Sequence, residues 1–267
     1  NVYPWMLLEK RGVELRLAKN RGGRVTAEDI AAKIDDRTRV VAVSWVAFHN
    51  GWVYPIEEIG GICRERGILF VVDAIQGLGA LPIDLGRVPV DVLVADAHKW
   101  LLGAEACAVF YVAESARDRL PPPSAGWWNI RTEKGYLDYA LDFHPGGRRY
   151  EIGSMPTGQI MGLDAALDLL ADMGQPAIRT RILATLAALS ASLAARGWRI
   201  ATPEPIASGI LAAVPPGGDD KRMARELEKR GVIVSPREGA VRFSPHAYND
   251  ASEVARLLEA IDALPLG

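Results

Sequence analysis

The sequence predicts an α/β protein: a mostly parallel sheet with helices on both faces, followed by a small C-terminal α/β unit. Three observations carry this. Largely apolar stretches recur at residues 40–45, 68–72, 90–95 and 106–112, and stretches with little polar alternation suit strands covered on both faces. Helical stretches lie between them, and strand–helix–strand order implies right-handed parallel crossovers and a doubly wound sheet. Beyond residue 209, short strands and helices alternate again over a shorter stretch. The expected division falls near Gly174–Pro176, giving a large unit over 1–175 and a small one over 176–267.

The elements follow in order. Residues 15–17 read as a short strand. Thr26-Ala27-Glu28-Asp29 opens a helix with a capping signature, its apolar period running through Ile30 and Ile34. The strand at 40–45 is succeeded by a helix beginning at Pro55, with Glu57 and Glu58 near its positive end and Gly67 as its stop. Strands at 68–72, 90–95 and 106–112 come next. Residues 121–147 hold three consecutive prolines and the pair Trp127-Trp128; a long irregular segment in a compact domain is usually functional. Helices are expected at 157–173 and 179–196. After them come a strand at 209–214, a helix at 219–230, strands at 232–235 and 240–243, and an amphipathic helix at 250–263.

Composition narrows the function. The chain has 267 residues, 49% hydrophobic and 24% charged, which suits a globular protein with a substantial core. A net charge of -2 gives no basis for binding nucleic acid or an anionic membrane surface. No apolar run reads as long enough to span a bilayer, and no signal peptide pattern opens the chain. Two cysteines make no disulfide framework and have no metal-ligand spacing. No metal is expected, and a reducing cytoplasm is the expected compartment.

The chemistry centres on Asp73 and Lys99. Asp73 ends the run at 68–72, and Lys99 follows Val92-Leu93-Val94-Ala95-Asp96-Ala97-His98. Both stand near the C-terminal ends of strands, where open α/β sheets bind ligands. A lysine and a carboxylate presented together suit pyridoxal phosphate (PLP): the lysine forms a Schiff base with the aldehyde and the carboxylate pairs with the pyridinium nitrogen. Singly, the lysine would read as a surface residue and the aspartate as a turn cap. A Rossmann-type nucleotide enzyme is a third option, against which no Gly-x-Gly-x-x-Gly follows a strand.

Four stretches make the pattern specific. Val71-Val72-Asp73-Ala74-Ile75-Gln76-Gly77 and Ala95-Asp96-Ala97-His98-Lys99-Trp100-Leu101-Leu102-Gly103 are followed by Arg149-Tyr150-Glu151-Ile152-Gly153-Ser154 and by Arg242-Phe243-Ser244-Pro245-His246-Ala247-Tyr248-Asn249. In this order they resemble the class V aminotransferase family, which includes cysteine desulfurases and kynureninase, over nearly the whole chain. The resemblance implies the fold type I architecture of PLP-dependent transferases and a homodimer with shared sites acting on an amino acid. Residue by residue, it makes Lys99 the Schiff-base lysine and the base at the substrate Cα, and Asp73 the partner of the pyridine nitrogen. Gln76 would bond the ring's phenolic oxygen, although alone it reads as a surface glutamine. His98 would lie by the phosphate, with a structural histidine as an equal reading. Ser154 would reach the phosphate of the partner subunit; otherwise it caps the following helix. Arg242 would bind the substrate α-carboxylate, with Arg237 as a rival. His246 and Tyr248, close to Arg242 in sequence, read either as shaping the substrate pocket or as part of a merely structural turn.

Two positions depart from the family. Asp96 stands where many relatives place a phosphate-binding serine, and an ionised carboxylate would repel phosphate. Trp45 stands where several carry Asn or His, and core packing is the competing reading. Asn50 reads as a local turn-former. Family members are longer, so the resemblance implies a missing N-terminal portion; the alternative is a complete chain that has lost the cofactor site.

The family's reactions diverge after Cα deprotonation. Desulfurases need a nucleophilic cysteine on the loop before the substrate arginine, and residues 234–242 hold none. Cys63 and Cys107 sit in apolar patterns and read as small core residues. Aminotransferase is the first reading. A PLP-dependent lyase or epimerase, or a desulfurase-like protein without the usual cysteine, is the second. A non-catalytic scaffold on a decayed transferase fold is the alternative from another class.

Overall fold

The computed structural model describes every residue except 132–134, 136, 138 and 265–267. Four strands, β1 (Val40–Ser44), β2 (Leu69–Asp73), β3 (Val92–Asp96) and β4 (Ala108–Val112), lie side by side in that order. The pairs β1–β2 and β2–β3 are parallel, and β4 runs antiparallel to β3. The parallel crossovers thus run as far as β3, and β4 is the antiparallel strand of a mostly parallel sheet. Residues 97–107 form a non-helical loop, whereas a parallel return needs a crossover of a dozen or more residues, usually a helix.

Three helices precede or flank this sheet: α1 (Tyr3–Met6), α2 (Ala27–Ala31) and α3 (Ile56–Glu65). The capping box of α2 forms as read: Thr26 Oγ1 accepts from the Asp29 amide, and the Asp29 carboxylate accepts from the Thr26 amide. The helix ends at Ala31, short of Ile34. In α3 the buried residues Ile56, Ile59, Gly60 and Cys63 make one stripe at helical spacing. Residues 15–17 form no strand. Arg16 is drawn into ion pairs with Glu14 and Asp35, both at 2.7 Å, and an isolated extended segment with no ladder has nothing to hold it. The described residues of 121–147 are largely irregular, as expected; 132–134, 136 and 138 lie outside the described residues. They are organised around the fully buried Asn129, whose side chain donates to the Ser124 and Arg149 carbonyls and accepts from the Gly126 amide.

Helix α4 (Thr157–Met173) meets α5 (Gln175–Ala195) at Gly174. The second helix starts before the expected residue 179 because Pro176 sits in its first turn, where no amide hydrogen is needed. Contrary to the reading that no apolar run could span a bilayer, α5 is long and apolar enough by length and composition. It buries Ile178, Ile182, Leu186, Leu189 and Leu193 along one stripe while Arg179 and Arg181 are exposed. That is the pattern of a core-facing helix.

The second sheet contains β5 (Arg199–Ile200), β6 (Leu211–Val214), β7 (Ser235–Arg237) and β8 (Ala240–Phe243), in the order β5-β6-β8-β7 with every pair antiparallel. The two-residue β5 carries no sequence pattern of its own, and β7 lies later than the expected 232–235. Helices α6 (Asp220–Glu228) and α7 (Ala251–Asp262) accompany the sheet. Asp250 and Glu253 form a second capping box, on α7. The β7–β8 hairpin turns through Glu238 and Gly239, with φ of 50° and 80°; two consecutive positive φ values give the two-residue turn whose twist matches its strands. One contiguous core joins the two sheets, running from Ile59, Phe70 and Leu93 to Leu186, Leu211, Val241 and Ile261.

Candidate active site

The site begins where β2 and β3 end. Asp73 pairs with Val94, so Asp96 lies two residues beyond it on the neighbouring strand and Lys99 follows in the turn. Backbone bonds fix this edge: the Trp45 amide donates to the Asp73 carbonyl at 2.8 Å, and the Ala74 amide donates to the Val94 carbonyl at 2.7 Å. Asp73 Oδ1 accepts from the Ile75 amide at 3.1 Å, which orients the carboxylate. The chain after Lys99 is tightly turned, with Leu102 donating to the Lys99 carbonyl and Gly103 to the Ala97 carbonyl. Leu102 and Ala106 have φ of 56° and 61°, the kind of non-glycine strain found at sites the surroundings over-determine.

Lys99 is partly buried among charges. Burial lowers its pKa from the ordinary lysine value of 10.5; the Arg242 guanidinium pushes the same way, Asp73 and Asp96 oppose it, and Arg237 adds a smaller downward push. Asp73, Asp96, Arg237 and Arg242 are thus its electrostatic neighbours. Arg242 donates from Nη1 to the Phe48 carbonyl at 2.9 Å and from Nη2 to Ser235 Oγ at 3.5 Å, while its buried Nε has no partner among the described residues. Burial, and then Arg237, depress its own pKa.

Behind the lysine stands Trp100. Its indole N–H donates to Gln76 Oε1 at 3.2 Å, and Gln76 is only 7% exposed, so it is not the surface residue it resembles in isolation. The Trp100 carbonyl lies 3.2 Å from His246 Nε2, and His246 Nδ1 accepts from the Ala247 amide at 2.8 Å. These two partners assign the proton to Nε2 and leave the ring neutral, in agreement with burial lowering its pKa. The imidazole is sandwiched between Trp100 and Tyr248, with ring centroids 5.5 and 5.0 Å away. His246 therefore clamps the C-terminal unit onto the turn that carries Lys99. Gly209 lies against the other end of the indole, where a Cβ would come within 2.2 Å of Trp100 Cη2.

The other expected residues divide. Trp45 is buried in the core cluster, which favours the packing reading. Asn50 accepts from the Trp52 amide and donates to the Gly23 carbonyl, as a turn-former does. His98 and Ser154 are exposed and hydrogen-bond to none of the described residues. The cap reading of Ser154 fails, since Pro156 occupies the N-cap of α4 and no side chain caps it. Cys63 is wholly buried, its thiol pushed up to about 12 mainly by burial, and Cys107 is also buried. No group of His, Cys, Asp or Glu suited to a metal occurs among the described residues. Sequence reasoning missed three participants: Trp100 as an anchor, Ser235, and the Phe48 carbonyl. A tryptophan directly after the key lysine was the one visible signal.

The family model for aminotransferase class-V matches residues 1–257. Among curated relatives, an uncharacterized aminotransferase YcbU of Bacillus subtilis (strain 168) is 31% identical over 90% of this chain and 64% of its own length. Isopenicillin N epimerase of Streptomyces clavuligerus is 31% identical over 97% of this chain and 70% of its own. A probable cysteine desulfurase of Methanothermobacter thermautotrophicus is 27% identical over 99% of this chain and 70% of its own. The chain thus spans about two thirds of the length of these relatives. Among solved structures, an apo cysteine desulfurase from Thermococcus onnurineus NA1 superposes with a TM-score of 0.87 at 24% identity, covering 98% of this chain and 68% of that one. The cystine C-S lyase C-DES, in complex with its product cysteine persulfide, gives 0.83 at 24% identity over 89% of this chain and 64% of that one. These superpositions establish the fold type I architecture. With the family match over residues 1–257 and 31% identity to two curated relatives, the chain belongs to the class V aminotransferase family, a family of pyridoxal phosphate enzymes.

Proposed function

We propose that the protein binds PLP through Lys99 and acts on an amino acid, in the first place as an aminotransferase. The observation that carries this reading is the convergence of Asp73, Lys99 and Arg242 at the C-terminal edge of β2 and β3. The residues fit the cofactor chemically. They comprise a lysine of depressed pKa, an oriented carboxylate, a buried amide and a guanidinium with an unpartnered buried Nε.

Bound PLP supplies the electron sink for the bond broken at the substrate Cα. The protein's residues do the rest. The depressed pKa of Lys99 keeps more of its amine neutral than in a free lysine, as a nucleophile and a base at Cα both require. Asp73 would hold the proton on the ring nitrogen. Gln76 has its carbonyl oxygen committed to Trp100, so its NH2 group is the end left to donate to the ring oxygen. The Arg242 fork suits the substrate α-carboxylate. Ser154 and His98, both exposed, are assigned to phosphate contacts, Ser154 toward the site of a second subunit in a homodimer. A cytoplasmic location and the division into 1–175 and 176–267 belong to the same proposal.

Similarity to a protein named as an aminotransferase supports transamination. The usual persulfide route is disfavoured: the β7–β8 hairpin carries no cysteine, and Cys63 is buried with a raised pKa, the reverse of an activated thiol. Epimerisation is the second reading, favoured by 31% identity to isopenicillin N epimerase. The test is borohydride fixation of PLP on the full-length protein with peptide mapping. The label should fall on Lys99 and vanish in Lys99→Ala with far-UV circular dichroism unchanged. Label on another lysine would refute the assignment, and none at all would move the protein to the scaffold reading.

A further inference from the structure

We propose that the substrate carries a second anionic group, held by Arg237 while Arg242 holds the α-carboxylate. The inference rests on the function proposed above and names the class of amino acid: one with an anionic side chain.

The β7–β8 hairpin sets the geometry. Ser235 pairs with Arg242 and Arg237 pairs with Ala240. Directly opposed residues share a face, so Ser235, Arg237, Ala240 and Arg242 lie on one side, and Arg237 and Arg242 are diagonal neighbours within reach of long side chains. Val241 and Phe243 point the other way, into the core. The Glu238-Gly239 turn pins this register. Both arginines therefore stand on the face that Arg242 ties to the Phe48 carbonyl, beside Lys99.

Neither guanidinium forms an ion pair with a described residue. Arg237 donates from Nη1 to the Pro236 carbonyl at 2.7 Å, and Arg242 bonds only to the Phe48 carbonyl and Ser235 Oγ. Some other arginines do meet carboxylates, as Arg16, Arg37, Arg196 and Arg230 do, while Arg24 and Arg119 bond to backbone carbonyls. Glu238, beside Arg237 in sequence, acts instead on His49. The mutual influence of Arg237, Arg242 and Lys99 places the three cations in one field. One bidentate arginine satisfies one carboxylate. The second fork, kept free of protein carboxylates on the same face, calls for a second anion.

The test is calorimetric titration of the full-length protein with L-glutamate against L-glutamine and L-aspartate against L-asparagine. In at least one pair the acid should bind about tenfold or more tighter than its amide, the scale of one charge-assisted hydrogen-bonded contact. Arg237→Gln should bring that ratio to about twofold, with Arg237→Lys intermediate, and Arg242→Gln should weaken acid and amide alike. Equal affinity within both pairs in the wild type would overturn the proposal. So would an Arg237→Gln variant that weakens acid and amide equally, which would make Arg237 a second ligand of the α-carboxylate. An Arg237→Gln variant that loses PLP while keeping the ratio would overturn it too, assigning Arg237 to the cofactor phosphate. Borohydride mapping on the same preparations separates the two levels. Discrimination without label at Lys99 refutes the proposed function and leaves the two-anion site; label without discrimination refutes this inference alone.

Discussion

Lys99 shows how function and stability oppose each other at one side chain. Burial and two guanidiniums favour the neutral amine, with Asp73 and Asp96 only partly compensating. Between the lowered folded value and the ordinary 10.5, the unfolded chain binds more protons than the folded one, so this residue makes stability rise with pH through that window. Lys99→Met in the cofactor-free protein is therefore expected to raise Tm, by about 2–4 °C for each kcal/mol regained. The difference from wild type should shrink as the pH approaches 10.5. An unchanged or lower Tm at neutral pH would mean the lysine is not strained by its surroundings. Trp100→Phe removes the donor to the buried Gln76 oxygen and should cost about 1–3 kcal/mol in urea denaturation. At this scale the sequence made the placement of Asp73 and Lys99 legible, one at the end of β2 and the other in the turn after β3; their roles belong to the proposal above. For His246 the sequence left a pocket role and a structural one open, because its partner, the Trp100 carbonyl, lies 146 residues away and no local pattern announces it.

Elements were legible where their signals are local. The capping box at Thr26–Asp29, the amphipathic helix that α3 forms and the bounds of α4 all follow from neighbours a few residues apart. The direction of β4 was not, because an apolar run reads the same way whether it pairs up or down; the short non-helical loop at 97–107 decided it. The two-residue β5 exists only because β6 is there to pair with it. The β7–β8 hairpin is the element on which most of the amino-acid specificity should turn. Gly239 holds φ of 80° in its tight turn, so Gly239→Ala should cost about 1–2 kcal/mol. It should also weaken amino-acid binding, because it loosens the register that sets Arg237 beside Arg242. A variant that loses stability but binds as before would show that the turn does not control the site.

At the scale of the molecule, a single core crosses from the first sheet to the second. Far-UV circular dichroism and tryptophan fluorescence should therefore give coincident urea transitions. Two separated transitions would mean that 1–175 and 176–267 fold as independent units. The side-by-side pairing of β2 and β3, from Val71 opposite Val92 to Asp73 opposite Val94, has a further effect on how this chain can change. A residue inserted within 92–96 would turn Lys99 away from Asp73, since neighbouring strand positions face opposite sides. The same insertion between Gly86 and Arg87, exposed turn residues outside any strand, would leave their spacing in space untouched. The path from aspartate to lysine is thus a measured length at both ends and slack cord in the middle, and descendants of this chain are free to vary in length only along the cord.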